Sequence, residues 1–598
     1  MLSPEARTVA TDILRPPAGY KLDQAVITTY SLDLDVILAL PLAVLAQSDQ
    51  GIDELLGDPM LILEALREAG GRLDIFVDAA SIAIPHSNRA LYTMLEDCVH
   101  PVRAPNGGAF HPKLWAVQFT QDNGPPLMRV AVMSRNLTYD RSWDAALVTE
   151  ALLGSTEGPV DASAPLGELL RALPGAAVHG VGAEREAILQ GLAEQLERTA
   201  FPAPDRFKSP LNFEVLGLQS GTTAPWHPGR KGQNALAIAP FVNRTGLDAI
   251  AARSAGERTL ISRREALDDL PESALRAWQD VLVLSEAALD EDQDGQTQSS
   301  DLHAKIFALE HGRRVTWYMG SANFTAAALT GRNVEVIVSM SGPRDERAKT
   351  SGYGISQFKE AGFLKLCEPY DRAEPFESDS TIKAAKERLE LARRALALAQ
   401  FELHCAGEGN AWQLTLDGDV DIPSDVDVQV WPVSLKEDQS VELKPDIAWS
   451  LPLDRLTAFI AFRLRADAEV DDVRFVLKLP ATGMPEGRVA QVLRHLINTP
   501  ERFLQFLRAL LGGLEGLVGW AQTDDGGRWE GDWGAGLNAE PLLEDLVRAA
   551  ARDPSRLAPI RRLIHDLQSS PNGKSIVPED FLAIWDVVDA VVDQGSKR

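Results

Sequence analysis

Histidine and lysine recur in this 598-residue chain as a spaced pair with a shared downstream partner. Two of the ten histidines have a lysine two positions later, and a Ser-x-Asn tripeptide follows each pair. The residues are His111, Lys113, Ser134 and Asn136 in the first copy, and His303, Lys305, Ser321 and Asn323 in the second. One His-x-Lys pair is a common accident, whereas two copies with the same downstream tripeptide indicate two half-sites of one centre.

These residue types suit the cleavage of a phosphodiester, which carries negative charge on two non-bridging oxygens and has a poor alkoxide leaving group. Two lysines and two asparagines can hold those oxygens, most strongly in the transition state. One imidazole can attack phosphorus to form a phosphohistidine, and the other can protonate the leaving oxygen and then activate water. One histidine must therefore start neutral and the other protonated, and the pattern leaves open which is which.

Both His-x-Lys pairs fall in strand-like runs, Phe110–Phe119 and Leu302–Leu309. Side chains alternate between the two faces of a strand, so we expect the histidine and lysine of each pair to project together. Each Ser-x-Asn follows another apolar run, and its small residues allow a tight turn. We therefore expect Asn136 and Asn323 at strand ends beside the two pairs.

A carboxylate beside each histidine would fix its tautomer and tune its basicity. Glu335, downstream of Asn323 at the start of an apolar run, is one candidate. Asp144 has the similar place in the first copy, although Asp140 and Glu150 compete with it for the role.

On these residues the chain resembles the phospholipase D superfamily, whose hallmark is a duplicated H-x-K-x4-D motif with a downstream G-S-x-N. The resemblance covers the chain up to about residue 370. It implies two α/β/α halves that meet at a pseudo-two-fold axis and form one site. At the position of the hallmark acid, this chain has Gln118 in the first copy and Glu310 in the second.

The resemblance also implies roles for these residues. Superfamily members without the hallmark acid include tyrosyl-DNA phosphodiesterases and several bacterial nucleases, so the departure favours a substrate other than lipid. By resemblance His111 is the nucleophile, His303 is the general acid, and no metal or cofactor is used. The other predicted site residues are Lys113, Asn136, Asp144, Lys305, Ser321, Asn323 and Glu335.

The composition is that of an ordinary globular protein, with 45% hydrophobic and 24% charged residues. The three cysteines, Cys98, Cys367 and Cys405, are far apart and form no C-x-x-C motif, which argues against a disulfide framework or a zinc knuckle. The most apolar early run, Val36–Ala46, contains Pro41 and is too short to cross a membrane, so it is predicted to be a buried helix or strand. We expect a soluble, cytoplasmic protein without a leader segment.

The formal net charge is −27 and the isoelectric point is near 4.8. Affinity for nucleic acid normally depends on a basic surface and on counterion release. The charge therefore argues against avid non-specific binding and against docking on an anionic membrane. Basic residues near the motifs suggest a positive cleft in an acidic body, or a substrate delivered by a partner protein; they are Arg103, Arg135, Arg141, Arg313, Arg314 and Arg332.

The alternation of strand-like and helix-like patterns predicts an α/β fold with two phospholipase-D-like halves, then a small β-sandwich and a helical C-terminal region. The predicted segments are 1–155 (first half), 156–225 (connecting helical segment), 226–375 (second half), 376–482 (helix plus β-sandwich) and 483–598 (helical domain). In the connecting segment, Pro- and Gly-rich stretches surround one predicted helix, Glu184–Thr199. The acidic run Asp290–Asp294 is predicted to be a solvated loop.

Further helices are predicted at Ile52–Ala69, Arg488–Leu496, Pro500–Leu511 and Pro541–Ala551. The loop Trp520–Gly536 contains three tryptophans, Trp520, Trp529 and Trp533. It is either a base-stacking or peptide-binding platform or a loop folded over an apolar surface, and the second interpretation is favoured.

The leading hypothesis is a metal-independent phosphodiesterase that cleaves nucleic acid through a phosphohistidine, and the resemblance suggests bacterial antiviral defence or DNA processing. One alternative is a phospholipase or phosphatidyl transferase. Another is an inactive scaffold whose C-terminal region recruits a helicase or ATPase. Intact histidine, lysine and asparagine in both copies disfavour the scaffold.

Overall fold

The computed structural model describes residues 10–45, 71–86, 90–139, 142–153, 156, 158–219, 224–285, 290–291, 297–298, 301–345, 352–360, 362–372, 380–409, 411–466, 470–485, 487–488, 491–492, 499–500, 503–504, 507, 546–547, 557–568 and 576–595. The predicted helix Ile52–Ala69 and the loop Trp520–Gly536 lie outside these residues. So do most of the predicted helices Arg488–Leu496, Pro500–Leu511 and Pro541–Ala551. The described chain is a mixed α/β protein with several sheets.

The first sheet is formed by the N-terminal part of the chain. Its helices and strands are α1 (Ala10–Leu14), β1 (Lys21–Thr29), α2 (Leu34–Leu45), β2 (Leu73–Asp78), β3 (Val99–Val102), β4 (Leu114–Thr120), β5 (Leu127–Met133), β6 (Ser142–Trp143) and β7 (Ala146–Leu152). The spatial order is β3-β2-β1-β4-β5-β7. The first three strands are parallel and the others antiparallel. Every residue of β5 is buried, as expected for a central strand covered on both faces, and its one charged residue, Arg129, pairs with Glu150.

Two helices connect this sheet to the next, α3 (Ala164–Ala176) and α4 (Ala183–Glu197). The second confirms the predicted helix Glu184–Thr199. The first was not predicted, because its prolines suggested a loop. Pro165 lies in the first turn, where no intrahelical hydrogen bond is lost, and Pro174 lies near the end of the helix.

The second sheet has the same core arrangement as the first. The part of the chain that forms it contains β8 (Asn212–Leu216), β9 (Ala235–Ile238), α5 (Arg244–Ala251), β10 (Arg258–Ile261), α6 (Arg264–Asp268), α7 (Glu272–Leu275), β11 (Asp280–Leu284), β12 (Asp290–Glu291), β13 (Thr297–Gln298), β14 (Asp301–Leu302), β15 (Ile306–His311), β16 (Arg314–Gly320), α8 (Ala326–Leu329), β17 (Glu335–Pro343), α9 (Ile355–Glu360) and β18 (Cys367–Pro369). Strands β12, β13 and β14 lie outside this sheet. The spatial order is β18-β11-β10-β9-β15-β16-β17-β8. Parallel strands β9, β10 and β11 are followed by antiparallel β15, β16 and β17, which correspond to β1, β2, β3, β4, β5 and β7.

Two details differ from the sequence prediction. Strand β8 lies in the segment predicted to be helical and pairs with the edge of the second sheet along β17. Part of the acidic run predicted as a loop forms β12, which pairs with β13 in an antiparallel ladder. Neither strand has the long apolar pattern on which a prediction from sequence depends.

The third region begins with a long helix. Its elements are α10 (Ser380–Leu398), β19 (Glu402–Glu408), β20 (Ala411–Asp417), β21 (Val426–Pro432), β22 (Val441–Glu442), β23 (Ile447–Leu451), β24 (Phe459–Ala466), β25 (Val473–Lys478) and β26 (Ala481–Thr482). The strands form two four-stranded sheets, ordered β23-β20-β19-β26 and β22-β21-β24-β25. One apolar cluster joins both sheets to α10, and it includes Leu389, Leu414 and Phe462.

This third region packs directly on the first sheet. Ile82 and Val476 form an antiparallel bridge, in which the Val476 amide donates to the Ile82 carbonyl at 2.8 Å. The buried carboxylate of Glu96 accepts hydrogen bonds from the Thr457 hydroxyl at 3.0 Å and from Arg488 Nη2 at 2.8 Å. Burial raises the pKa of Glu96, while Arg488 opposes this shift. The ion pair and the bridge fix the third region against the first.

Two C-terminal helices, α11 (Leu557–Gln568) and α12 (Glu579–Gly595), complete the described fold. Their apolar residues Ile560 and Trp585 belong to the same core cluster as Leu73 and Trp431. Across the described residues, no helix is both long and apolar enough to cross a membrane.

Candidate active site

The two His-x-Lys pairs lie at strand ends rather than inside strands, which corrects the prediction from sequence. His111 and Lys113 precede β4, and His303 and Lys305 lie between β14 and β15. Pro112 has no N–H for a ladder. The His111 amide donates instead to the Val334 carbonyl at 3.0 Å. The pairs are therefore positioned by the ends of the sheets.

Each lysine is folded back on its histidine. Lys113 Nζ donates to the His111 carbonyl oxygen at 3.2 Å, and Lys305 Nζ donates to the His303 carbonyl oxygen at 2.7 Å. The histidines are 9% exposed, and the lysines behind them are fully buried. The expectation that each histidine and lysine lie together therefore holds in space, although a strand does not place them.

The Ser-x-Asn turns follow β5 and β16 and begin beside the lysines. The Met133 amide donates to the Lys113 carbonyl at 3.0 Å, and the Gly320 amide donates to the Lys305 carbonyl at 3.3 Å. Gly320 has φ of +155°, and a Cβ at this position would lie 2.1 Å from the Val336 carbonyl oxygen. Only glycine fits this close approach, so the Gly of Gly-Ser-x-Asn has a steric reason in the second copy.

The two carboxylates are exchanged between the sheets. Glu335, at the start of β17, accepts a hydrogen bond from His111 Nδ1 at 2.9 Å. Asp144, which precedes β7, accepts one from His303 Nδ1 at 2.8 Å. Each histidine is thus oriented by a carboxylate from the other sheet. The sequence predicted both acids but not this crossing.

Main-chain pairing across the boundary enforces the exchange. Short strand β14, directly before His303, runs parallel to β6, directly before Asp144. In the equivalent place, Phe110 before His111 forms a parallel bridge with Val334 before Glu335. The same contact between a histidine segment and a carboxylate segment therefore occurs twice.

The serines of the Ser-x-Asn turns hold these carboxylates. Ser321 Oγ donates to Glu335 Oε2 at 2.5 Å, and Ser134 Oγ donates to Asp144 Oδ1 at 2.6 Å. Each hydroxyl also accepts a main-chain N–H, so its orientation is fixed. Ser134 was absent from the predicted site residues, although its match to Ser321 in the repeat identifies it.

Burial and charge set the protonation of the two rings differently. Burial lowers the pKa of His111 to about 4, against the opposing effect of Glu335. Burial also lowers the pKa of His303, and the hydrogen bond to Asp144 opposes it. Both imidazoles are therefore neutral at pH 7 in the free protein.

The remaining charges belong to one electrostatic cluster. The pKa of Lys305 is well below its usual value because the ammonium is buried and because Lys113 is close. Both lysines also lower the pKa of His111 and of His303. Charged groups from both sheets therefore act within one centre, in which positive charge is disfavoured until an anion binds.

The hydrogen bonds fix the tautomer of each ring. A carboxylate can only accept, so Nδ1 of His111 and of His303 carries the hydrogen and Nε2 carries the lone pair. Within the described part of the chain, no hydrogen bond is made to Nε2 of either ring. This is the state required of an imidazole that attacks phosphorus or exchanges a proton with substrate.

The two asparagines share an unusual property. The Oδ1 atoms of Asn136 and Asn323 are buried and accept no hydrogen bond from the described residues. Buried polar atoms without partners are rare in folded proteins. Their occurrence at both copies of one motif indicates a polar ligand, since an amide group can turn to present its NH2 to an anion.

Three further residues beside His111 were missed from sequence. The Tyr30 ring lies 5.1 Å from the His111 ring, and the Lys113 ammonium lies 5.9 Å from the centre of the same tyrosine ring. Arg393 of α10 interacts with the Tyr30 side chain and donates to the Ala80 carbonyl at 2.9 Å. No pattern near the motifs indicates these contacts, because they depend on the packing of the third region.

Asp78 at the end of β2 is the third of these residues. It accepts a hydrogen bond from the main-chain N–H of Phe110, the residue before His111, at 2.9 Å. Burial raises the pKa of Asp78, and the nearby charge of Arg393 opposes this. The segment that carries His111 is thus tied to β2 and, electrostatically, to α10.

Beside His303, the residue that makes the equivalent contact is a cation, Arg263. Arg263, at the end of β10, donates through Nε to the Leu302 carbonyl at 2.9 Å and pairs with Asp301 at 2.9 Å. Its guanidinium also lies 4.9 Å from the centre of the Phe241 ring. No sequence motif marked Arg263 or Phe241.

The residues that replace the hallmark acid lie away from the histidines. Gln118 Nε2 donates to Asp23 at 2.7 Å, and Glu310 accepts from Asn234 at 3.0 Å and from the Ile355 amide at 2.8 Å. Each position is seven residues beyond its histidine, a distance of roughly 20 Å along an extended chain. Both side chains brace neighbouring strands and have no direct contact with the histidines.

Several other predictions are resolved by position. Glu150 pairs with Arg129 at 2.6 Å and does not contact either histidine, whereas Asp140 and Arg141 lie outside the described residues. Arg135 Nη1 is 3.8 Å from Asp144 and therefore belongs to the site. The other arginines are peripheral: Arg103 binds the Ala397 carbonyl, Arg313 and Arg314 are at the far hairpin of β15 and β16, and Arg332 is exposed.

Within the described ranges, no group of three or more His, Cys, Asp or Glu side chains is arranged to hold a metal ion. The carboxylates of the centre are each hydrogen bonded to a histidine and a serine.

No family model matches the chain, and no curated protein matches it. Among solved structures, yeast tyrosyl-DNA phosphodiesterase is similar with a TM-score of 0.34 and 12% identity, covering 57% of this chain and 87% of that enzyme. Polyphosphate kinase from Porphyromonas gingivalis is similar with a TM-score of 0.30 and 13% identity, covering 64% of this chain and 50% of that enzyme. Similarities this remote carry no argument about the activity of this chain.

Proposed function

We propose that this chain is a phosphodiesterase of the phospholipase D superfamily, with a single site shared by two pseudo-two-fold-related halves. The observation that carries this proposal is the double exchange of carboxylates, His111 with Glu335 and His303 with Asp144. A purely structural histidine needs no partner of the same kind in the other half. Two oriented imidazoles with available Nε2 atoms instead match the two roles in a double displacement at phosphorus.

In the first step, the Nε2 lone pair of neutral His111 attacks phosphorus. The bond from phosphorus to the leaving oxygen breaks, and that oxygen takes the proton from Nε2 of His303, which is protonated once the anionic substrate has bound. The product is a phosphohistidine whose ring is positively charged, and Glu335 compensates this charge through the Nδ1–H bond. Lys113, Lys305 and the turned amides of the asparagines hold the non-bridging oxygens.

In the second step, a water molecule attacks phosphorus from the side that the leaving group has vacated. His303, now neutral, takes a proton from that water through Nε2. The bond between phosphorus and His111 breaks, and its electron pair returns to the ring nitrogen. Both histidines then have the protonation with which they started.

The division of roles follows from the two environments. The larger lowering of pKa falls on His111, to about 4, so this ring is neutral over most of the accessible pH range. His303 is less strongly shifted and is therefore the easier ring to protonate. The electrostatics thus support His111 as nucleophile and His303 as general acid.

Nucleic acid is the substrate class that we propose. Four basic residues lie at the site, whereas the whole protein has a net charge of −27; they are Lys113, Lys305, Arg135 and Arg263. Binding would be confined to the centre, as suits a short single strand better than a long duplex or an anionic membrane. We also propose a role in bacterial defence or DNA processing, in which a helicase or ATPase partner delivers the substrate. This part of the proposal rests on the resemblance alone.

The proposal is tested by cleavage of end-labelled single-stranded DNA, double-stranded DNA and RNA in excess EDTA. Wild type is compared with His111→Ala and with His404→Ala, a matched control at a half-exposed histidine of β19. We expect cleavage by wild type and by the control, and none by His111→Ala. Cleavage that requires metal or survives in His111→Ala would refute the mechanism, and turnover of lipid alone would refute the substrate.

A further inference from the structure

Phe241 is a large aromatic residue that is 48% exposed, and one of its ring faces is next to a cation. The Arg263 guanidinium lies 4.9 Å from the ring centre. Single exposed apolar residues are common and need no explanation by themselves. The functional interest of this ring comes from its position beside the site.

Two contacts place Phe241 at the His303 side of the site. Val242 and Phe324 form a parallel bridge, so the residues before them, Phe241 and Asn323, are also neighbours, about 5 Å apart along the pairing direction. On its other side, Arg263 is anchored to the Leu302 carbonyl, directly before His303. The ring is thus flanked by a phosphate-binding asparagine and by the general-acid segment.

In the first half, the position equivalent to Phe241 is a serine. There the parallel bridge joins Leu32 to Leu137, which places Ser31 opposite Asn136. Ser31 is half-buried, and its carbonyl is occupied by the Thr29 hydroxyl at 2.8 Å and the Leu137 amide at 3.3 Å. Of these two equivalent positions, only the one on the general-acid side therefore has an exposed aromatic beside a motif asparagine.

We propose that Phe241, backed by Arg263, is a stacking platform for the nucleobase on the leaving-group side of the scissile phosphate. An aromatic face next to a guanidinium binds planar π systems, and stacking of this kind tolerates any base. His303 protonates the leaving oxygen, so the nucleoside bearing that oxygen lies beside Phe241. This inference rests on the proposed phosphodiesterase function and specifies its substrate as single-stranded nucleic acid with an unpaired base at that position.

The test uses dinucleoside monophosphates in which an abasic residue replaces the nucleoside on one side or the other of the single phosphodiester. Wild type should cleave the substrate with a base on the leaving side roughly 5- to 150-fold faster, in kcat/KM, than the substrate abasic there. Loss of the base on the attacked side should have a smaller effect. Product analysis identifies which oxygen departs.

The variants separate stacking from simple packing. Phe241→Leu should abolish the preference for the leaving-side base, whereas Phe241→Trp should keep it, because only the second retains a π face. Circular dichroism and thermal denaturation of both variants check that each is folded. Tyr139→Leu, at another exposed aromatic, is the matched control and should keep the wild-type preference.

The outcomes distinguish failure of this inference from failure of the function. Equal cleavage of base-bearing and abasic substrates, or a preference retained in Phe241→Leu, would overturn the platform while leaving a phosphodiesterase. Absence of cleavage of every substrate by wild type would overturn both. A preference that moves to the attacked side would also contradict the proposed placement.

Discussion

The two half-sites contain the same chemistry in different surroundings. Each has a histidine, a lysine and a Ser-x-Asn turn, and each histidine is bonded to a carboxylate from the other sheet. The tie on the residue before the histidine differs: Asp78 in the first half accepts from an N–H, and Arg263 in the second donates to a carbonyl. The repeated residues are the proposed reactive groups, and the residues that are not repeated make the halves unequal.

The wider surroundings of the two histidines also differ. His111 lies against Tyr30, which Arg393 of the third region contacts, and its pKa is lowered to about 4 mainly by burial. His303 has the exposed Phe241 and the cation Arg263 on its side. A duplicated motif therefore need not give equivalent halves, because packing outside the motif can assign the nucleophile and the acid.

The largest expected effect comes from removing each histidine in turn, which tests whether the two half-sites have different roles. His111→Ala should lose on the order of 10³-fold or more in kcat on every substrate, because the proposed nucleophile is removed. His303→Ala should lose roughly 10²- to 10⁴-fold on an alkoxide leaving group. On a p-nitrophenyl ester, whose leaving group needs no proton, it should still release one equivalent in a burst.

Steady-state and stopped-flow release of p-nitrophenol check this difference. The prediction is wrong if both variants lose activity equally on both leaving groups, since the two histidines would then have interchangeable roles.

The pH profile tests the same difference between His111 and His303 without a mutation. Neutral His111 is required, so kcat/KM should fall as pH drops through its pKa of about 4. Protonated His303 is required, and its pKa is lowered below the usual 6.5, so kcat/KM should also fall as pH rises above that value. The maximum should lie between these limits, and above pH 6.5 kcat/KM should fall about tenfold for each further pH unit.

Binding of an anionic substrate favours the imidazolium forms and raises both pKa values. The optimum of kcat should therefore lie at higher pH than the optimum of kcat/KM, which reports the free enzyme. A kcat/KM that rises steadily from pH 5 to about pH 10 would contradict the acid–base assignment.

The exchanged carboxylates give an intermediate effect. Glu335→Gln and Asp144→Asn keep the shape of the side chain but remove its charge, and each should lower kcat roughly 10- to 100-fold. Glu335→Gln should slow formation of the phosphohistidine, because the positive charge on His111 is no longer compensated. Asp144→Asn should act on the steps that use His303, as pre-steady-state kinetics with a p-nitrophenyl ester can show.

Glu150→Gln is the matched control, since this carboxylate pairs with Arg129 instead of a histidine. If Asp144→Asn and Glu335→Gln slowed the same step equally, the proposed crossing of roles between the halves would be incorrect.

The smallest expected effect concerns the link from the third region to the first half-site. Arg393→Met removes the contacts with Tyr30 and the Ala80 carbonyl, and should lower kcat several-fold, less than about tenfold, with little change in KM. The acid limb of the pH profile should move with it, because the surroundings of His111 change.

Arg394→Met is the matched control, because Arg394 pairs with the same Glu390 as Arg393 but is 60% exposed. Thermal denaturation of both variants separates positioning from stability. Equal effects of the two substitutions on kcat and on the pH profile would show that Arg393 has no special role.

Much of the fold could be predicted because buried strands give continuous or alternating apolar runs. The candidate site residues could be proposed because motif repetition is visible in sequence, and the repeat also marks Ser134 as the counterpart of Ser321. Helix α3 was missed because Pro165 and Pro174 suggested a loop. The strand placement of the first His-x-Lys pair was wrong because Pro112 cannot join a ladder. The second pair leaves the strand because the amides of His303 and Ala304 both donate to the Trp143 carbonyl, at 2.9 and 2.7 Å.

What the sequence could not supply were contacts between distant segments. His111 and Glu335 are 224 positions apart, and nothing local decides which histidine receives which acid. Arg393 lies in a charged helix whose pattern is typical of a solvated face, and its contact with Tyr30 arises only when α10 packs on the first sheet.

The most direct test of the account is to map the covalent intermediate. His303→Ala is mixed with a p-nitrophenyl phosphodiester, quenched in base to preserve phosphohistidine, and analysed by peptide mass spectrometry. The account predicts a phosphoryl adduct on His111 alone, and none in the His111→Ala, His303→Ala double variant. An adduct on another residue, or a full burst of p-nitrophenol without any adduct, would contradict it.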